Sequence, residues 1–195
     1  MRVVFLGAPG SGKGTQAKLL AQRFQVPAIS TGEILRAAVR EGTPLGRGAE
    51  SVMEAGDLVP DDLMVRLIRE RLAEPDARRG FILDGFPRTL EQAAALDRLL
   101  DGNETALTAV VNLSVPESVL IDRLHGRSGS ESRADDRRET VLERLRVYRE
   151  KTEPLIDLYR RRGLLADVDG VGDVSEVAGR VARAVSPAAK AQGVA

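Results

Sequence analysis

Cysteine is absent from the 195 residues, which excludes disulfides, a thiol nucleophile and a Cys-ligated zinc site. Net charge is absent too. The 29 basic and 29 acidic residues cancel, so no global field recruits nucleic acid or an anionic membrane, and any cluster of cations needs a local explanation. Lysine is scarce: Lys13, Lys18, Lys151 and Lys190 are four of the 29 cations, so the other 25 are arginine. That bias carries no functional weight by itself. No apolar run approaches the ~18 residues of a membrane span, and the chain enters a strand-like run at once, with no signal-peptide pattern before it. A cytoplasmic protein, with neither nucleic acid nor membrane as partner, is expected. The one histidine, His125, has no partner triad and reads as a surface or capping residue rather than a catalyst. No internal repeat is found. What is present, 43% hydrophobic and 30% charged residues, is ordinary for a globular protein long enough to bury one real core.

Short apolar runs recur at 2 to 6, 27 to 29, 80 to 84, 107 to 113 and 164 to 168, with helix-period stretches between them. Such alternation predicts a parallel sheet with helices on both faces, and in such sheets ligands sit outside the carboxyl ends of the strands. The first run, Val3-Val4-Phe5-Leu6, leads straight into Gly7-Ala8-Pro9-Gly10-Ser11-Gly12-Lys13-Gly14-Thr15 and then a helix-period segment reaching about Phe24. Strand, Gly-rich loop and helix in that order form a phosphate cradle. Glycines let successive N–H groups turn toward one anion, the helix adds its N-terminal partial charge, and Lys13 supplies a full one. The general P-loop pattern puts Ser or Thr directly after the lysine as a magnesium ligand. Here that place is Gly14 and the hydroxyl arrives at Thr15, so the loop is not expected to ligate metal directly.

The other motifs fall at or just after later strand ends. Ser30 and Glu33 have capping-box spacing, which predicts a helix start with Arg36 in its first two turns; alone, Arg36 could equally be a solvated helix arginine. Glycines and prolines at 42–46 and 55–60 bracket two short helices, the pattern of a small insertion able to rock on the sheet. Phe81-Ile82-Leu83-Asp84 closes a buried strand on a carboxylate, which needs a cationic partner. Hydrated magnesium fits that Walker-B place; the competing role, a helix cap, suits Thr89 better. Arg88 leaves the same edge, and Gln92 lies on the next helix, where an amide can read the edge of a base. Ser114 and Glu117 repeat the capping-box spacing. Arg123 and Arg127 are four apart and share a helix face. Periodicity is lost from Gly126 to Arg133, a polar, mobile loop. Asp136 with Glu139 then caps a helix carrying Arg144 and an apolar stripe of Val141, Leu145 and Tyr148. The tail after Ser186 lacks periodicity and is expected to be disordered and functionally silent.

In their order these motifs resemble the adenylate kinase family, over residues 1 to 185. They are Gly7 to Thr15 with Gln16, Ser30-Thr31-Gly32 with Arg36, Gly56-Asp57-Leu58-Val59-Pro60, Asp84-Gly85-Phe86-Pro87-Arg88 with Gln92, Arg123 with Gly126-Arg127, Arg133-Ala134-Asp135-Asp136, and Arg144. The resemblance implies an α/β P-loop NTPase fold with a five-stranded parallel sheet flanked by helices. It implies a CORE (1–29, 60–125 and 137–185), a small AMP-binding insertion (30–59), a short LID (126–136) and a tail (186–195). It further implies that Gly10, Ser11, Gly12, Lys13, Gly14, Thr15, Arg123 and Arg127 hold ATP, with Gly172 offering backbone to the adenine. For AMP it implies Thr31, Arg36, Asp57, Leu58, Val59, Gly85, Phe86, Pro87, Arg88 and Gln92, joined by Arg133 and Arg144, which close on the transferring phosphoryl group. Asp135 and Asp136 resemble residues that lock the LID. The catalytic cations are then Lys13, Arg88, Arg123, Arg133 and Arg144, and Asp84 is the magnesium residue, through water. Between Arg127 and Arg133 the LID holds Ser-Gly-Ser-Glu-Ser, longer than in the shortest members. It lacks the four-ligand metal motif of long-LID relatives, so no zinc is expected. Glu33 stands where the family more often has aspartate. A monomer is implied.

Charge logic leads to the same chemistry. Moving a phosphoryl group between nucleotides needs alignment, neutralisation and exclusion of water more than covalent help. No side-chain base is required, because the attacking AMP phosphate oxygen is already anionic. The expected activity is reversible conversion of MgATP and AMP to two ADP, serving adenine nucleotide homeostasis. The nearest rival is a pyrimidine monophosphate kinase on the same scaffold, against which Thr31 and Gln92 favour adenine. From another class, a nucleotide-dependent switch is disfavoured by the lack of an Asn-Lys-x-Asp motif and by the many arginines.

Overall fold

The computed structural model describes residues 1–102, 105–126 and 138–186. Five strands, β1 (Arg2–Leu6), β2 (Ala28–Ser30), β3 (Phe81–Asp84), β4 (Ala109–Ser114) and β5 (Leu165–Asp169), form one sheet in the order β2-β3-β1-β4-β5. Every neighbouring pair is parallel, as the alternation of apolar runs and helix-period stretches predicts. Each expected run lies within two residues of an observed strand. The helices are α1 (Lys13–Phe24), α2 (Thr31–Arg40), α3 (Pro44–Ala55), α4 (Asp61–Ala73), α5 (Leu90–Asp101), α6 (Glu117–Gly126), α7 (Arg138–Val147), α8 (Pro154–Arg161) and α9 (Val174–Ala184). A π-helical turn, Tyr148–Thr152, joins α7 to α8.

Side chains that alternate along each strand sort into two cores. Val4, Leu6, Ile29, Leu83, Val110 and Leu165 pack on one face with residues of α4, α5 and α8. Val3, Phe5, Ile82, Val111, Leu113 and Val168 pack on the other with α1 and α9. Strands buried on both faces read as continuous apolar runs, which is why their positions were plain from sequence. The chain leaves β1 toward β2 on one side and returns to β4 on the other. The carboxyl end of β1 is therefore the switch point at which such sheets open a crevice. A third, smaller cluster joins Leu120 and Leu124 of α6 to Val141 and Leu145 of α7, two of the three residues of the expected stripe; the third, Tyr148, begins the π-helical turn instead.

The two short helices expected at 30–59 are α2 and α3, packed as a hairpin. Their closest approach depends on Gly46, where a Cβ would lie 2.0 Å from the Ala38 carbonyl oxygen. Thr43 caps α3 by accepting from Gly46 N at 3.1 Å.

Two of the expected capping boxes do not form. Ser30 ends β2, and its hydroxyl donates to Asp84 Oδ2 at 3.3 Å because the sheet register sets Ser30 beside Asp84. Glu33 pairs instead with Lys18, at 2.6 Å. Ser114 is the last residue of β4, and α6 begins only at Glu117, so the serine is two residues too early to cap it. The reciprocal acid of a capping box is found at α9, where Glu176 accepts from Asp173 N at 3.1 Å. The expected Asp136 cap, the loop to Arg133 and the tail beyond Ser186 lie outside the described residues, as does the side chain of His125.

Candidate active site

The sheet brings the motifs to one edge. Gly7 follows β1, Thr31 follows β2, Gly85 follows β3 and Gly170 follows β5. Between β1 and α1 the chain winds through residues 7 to 12, and Gly12 caps the helix with φ +92°, a left-handed conformation that L side chains resist. The first helical hydrogen bond runs from Gln16 N to the Gly12 carbonyl, 3.1 Å. The N–H groups of Lys13, Gly14 and Thr15 come before it and have no acceptor within the helix, which leaves them for an anion. The Lys13 ammonium lies over the same turn, donating to the Gly7 and Ala8 carbonyls at 2.7 and 2.9 Å.

A cleft of about 370 Å³ opens in front of the loop, lined by Gly10, Gly12, Lys13, Gly14 and Thr15 and by Arg36, Asp84, Gly85, Arg88 and Arg144. It contains four cations against the carboxylate of Asp84, once Lys18 and Glu33 are paired off. Ser11 is buried, its hydroxyl accepting from Lys13 Nζ at 3.5 Å; its carbonyl accepts from Arg123, 3.4 Å, whose other terminal nitrogen donates to the Gly170 carbonyl at 3.0 Å. Arg123 thereby ties the loop to the β5–α9 turn, where Gly172 lies two residues on. Arg127, Arg133, Asp135 and Asp136 lie outside the described residues.

Arg88 is fixed at three points. Its Nε donates to the Gly85 carbonyl (3.0 Å), its N–H to Gln92 Oε1 (2.7 Å), and its carbonyl accepts from Thr152 of the π-helical turn (2.9 Å). Arg144 crosses from α7, its stem against Gly56. The floor joining loop and slot includes Tyr148 beside Arg88 and Arg144. Burial, with the nearby Glu153 carboxylate second, pushes its phenol up to about 12.

From Arg88 the cleft runs on into a slot lined by Thr31, Arg36, Asp57, Leu58, Val59, Gly85, Gln92 and Arg144. Its apolar wall is Leu35, Met53 and Met64, side chains that sequence reading passed over although each sits on the inner face of an amphipathic helix. Two expected residues sit differently. Phe86 is completely buried in the core, so its side chain is not on the slot surface, and Pro87 lines the floor nearer the loop. The Thr31 hydroxyl is buried and donates to the Gly85 carbonyl, 3.0 Å, which leaves it acceptor capacity only. Gln92 is 2% exposed, and its amide donates to Asp61 Oδ1 at 2.7 Å. Asp61 also accepts from the Thr89 hydroxyl, 2.7 Å, while that hydroxyl caps α5 by accepting from Gln92 N, 3.1 Å. Asp61 was not singled out from sequence; its place after Pro60 at a helix start reads as a cap. Thr89 caps α5 as expected.

Asp84 presents a carboxylate at the strand end, with Oδ2 held by Ser30 and 3.3 Å from where a Cβ on Gly14 would lie. A single carboxylate with the Ser30 hydroxyl beside it is an all-oxygen donor set, suited to a hard cation that keeps most of its waters. Among the described residues no three His, Cys, Asp or Glu side chains group as a metal site. No helix among them is long and apolar enough to cross a membrane.

Comparison with known proteins agrees with this geometry. The family model for adenylate kinase matches residues 5–164. The chain is similar to the adenylate kinase of Xylella fastidiosa strain M12, 51% identical over 185 residues, covering 95% of this chain and 99% of that one. It is 50% identical to that of Thermobifida fusca over 185 residues (95% and 98%) and 48% identical to that of Leptospira biflexa over 184 residues (94% and 99%). With the loop, the cation-lined cleft and the slot arranged on this sheet, and with matches of this extent, the chain belongs to the adenylate kinase family.

Proposed function

We propose that the chain transfers a phosphoryl group reversibly from MgATP to AMP, giving two ADP. Membership of the family makes it a phosphotransferase acting between adenine nucleotides. The observation that carries the detailed reading is one continuous cleft in which Lys13, Arg36, Arg88 and Arg144 line the space between the loop and the Gln92 slot.

In this reading the loop N–H groups of Gly10 to Thr15 and Lys13 take the ATP phosphates, and Arg123 holds the loop to the turn at Gly172, where the adenine of ATP lies. Arg36 and Arg88 take the AMP phosphate, whose oxygen is the nucleophile. Arg88 and Arg144, with Arg127 and Arg133 from 126–136, surround the group in flight; planar guanidiniums bridge two oxygens at once. Thr31, the Asp57–Val59 backbone and Gln92 take the adenine of AMP. Residues 30–59 act as the AMP-binding part and 126–136 as the LID, with Asp135 and Asp136 locking it, and the rest to 185 is the CORE. Closing both parts excludes water as a competing acceptor. Bound with ATP, magnesium would neutralise charge between the phosphates, and Asp84 is the residue whose oxygens suit its water shell. A cytoplasmic monomer completes the proposal.

Coupled measurement of ADP release with ATP plus AMP, CMP, UMP or GMP tests it. AMP is expected to be the fastest acceptor. A faster rate with CMP or UMP overturns the adenine assignment, and ATP hydrolysis indifferent to AMP overturns transfer.

A further inference from the structure

We propose that Asp61 is a positioning residue that sets base selectivity. It holds the Gln92 carboxamide in one of its two orientations, so that the slot takes a 6-aminopurine and rejects a 6-oxopurine. The proposal rests on the reading above that Gln92 faces the acceptor base.

A glutamine amide is an ambiguous reader. Rotated by half a turn it exchanges its acceptor for its donors, and a free one would serve either purine. At Gln92 that rotation is blocked from both sides. Nε2 faces Asp61 Oδ1 at 2.7 Å and Oε1 faces the N–H of Arg88 at 2.7 Å. A carboxylate only accepts and a backbone N–H only donates, so this orientation is dictated by the partners' chemistry. The reversed amide would set oxygen against carboxylate and NH2 against N–H, at a side chain only 2% exposed. Asp61 is held in turn, its other oxygen accepting from Thr89 at 2.7 Å. The amide keeps one lone pair and one N–H for a ligand, in a fixed order along the slot. Adenine presents a 6-amino donor beside the N1 acceptor. Hypoxanthine and guanine present the opposite order, a 6-oxo acceptor beside an N1–H donor, and the purine cannot be served by a fixed amide set for the other.

Steady-state kinetics with AMP and IMP as acceptors test this in the wild type, Asp61→Asn and Asp61→Ala. The asparagine amide can donate as well as accept, and alanine leaves the position open, so either substitution removes the carboxylate's hold on the Gln92 amide and leaves only the Arg88 N–H to oppose its reversal. The AMP/IMP ratio of kcat/KM is expected to fall ~10-fold or more, with kcat/KM for IMP rising in absolute terms. A purely structural lesion would not produce that gain. Equal losses with both acceptors, or an unchanged ratio, overturn the proposal and leave Asp61 as a tie between α4 and α5. If both variants fail to fold, Thr89→Val frees the same carboxylate from its other side; a smaller fall in the ratio supports the proposal and an unchanged one overturns it. A wild type that ignores AMP would instead sink the reading of the acceptor site, a result separable from the variants.

Discussion

At the loop end of the cleft the groups proposed to hold the phosphates come from consecutive residues, 7 to 15, and most are backbone N–H. The base slot draws instead on Thr31, Leu35 and Met53 from the α2–α3 hairpin, Met64 and Asp61 from α4, and Gln92 from α5. In the proposed function the loop reads charge and does not distinguish one base from another. In the same proposal the slot reads donor order and shape, through side chains held by other side chains. Damage to the first should reduce turnover whatever the acceptor, whereas damage to the second should change which acceptor is preferred.

The strongest break is Lys13→Met. It removes the full positive charge nearest the loop carbonyls while leaving the backbone nest intact. Turnover is expected to fall by ~10³-fold or more, by analogy with the loss of an arginine finger, and by the same factor with every acceptor nucleotide. Thermal melting should stay close to the wild type, because Lys13 is itself only half-buried and its hydrogen bonds to the Gly7 and Ala8 carbonyls are partly exposed. Normal turnover in this variant would show that the phosphates lie elsewhere.

Next in size is Gly46→Ala. In an open helix this change stabilises by about 0.5–1 kcal/mol. Here a methyl group would sit 2.0 Å from the Ala38 carbonyl oxygen, so the close packing of α2 on α3 reverses the sign. A loss of ~1–3 kcal/mol is expected by urea unfolding. The slot's wall moves with the hairpin, so KM for AMP should rise while KM for ATP changes little. An equal rise in both would mean that the hairpin carries the loop end too.

The same division governs what the sequence disclosed. The sheet and the loop were legible because their signals are local: strands buried on both faces are short apolar runs, and strand, glycines and Lys13 are contiguous. The Thr89 cap was legible for the same reason. The capping boxes read at Ser30 and Ser114 failed because spacing along the chain does not report sheet register; only the pairing of β2 with β3 shows that the Ser30 hydroxyl meets Asp84. Gln92 was singled out from its place on the helix after β3, but Asp61 beneath it was not, since 31 residues separate them and an aspartate after proline at a helix start has an adequate local explanation. Phe86 shows what a motif does not report: it lies among residues that line the slot, yet its own side chain is core.

The smallest expected effect concerns the floor between the two ends. Burial raises the Tyr148 phenol from its ordinary 10 to about 12, and burial likewise raises Tyr159, with Asp97 adding and Arg162 opposing. A group whose pKa is higher folded than unfolded holds its proton more tightly in the native state. Its contribution is therefore fully present below the unfolded value, about pH 10, and is lost as pH rises through the folded one. For Tyr148 the window is pH 10 to about 12, with a slope of at most ~1.4 kcal/mol per pH unit for each tyrosine. Few other groups blur it, since four lysines and 25 arginines leave little charge to be lost there. Urea unfolding at pH 9, 10, 11 and 12 should show stability falling across that window in the wild type and falling less steeply in Tyr148→Phe, with the two curves parallel below pH 10. Parallel curves throughout would mean that the phenol is wetter than its place in the floor beside the α7 end implies, and that the floor between loop and slot opens to solvent.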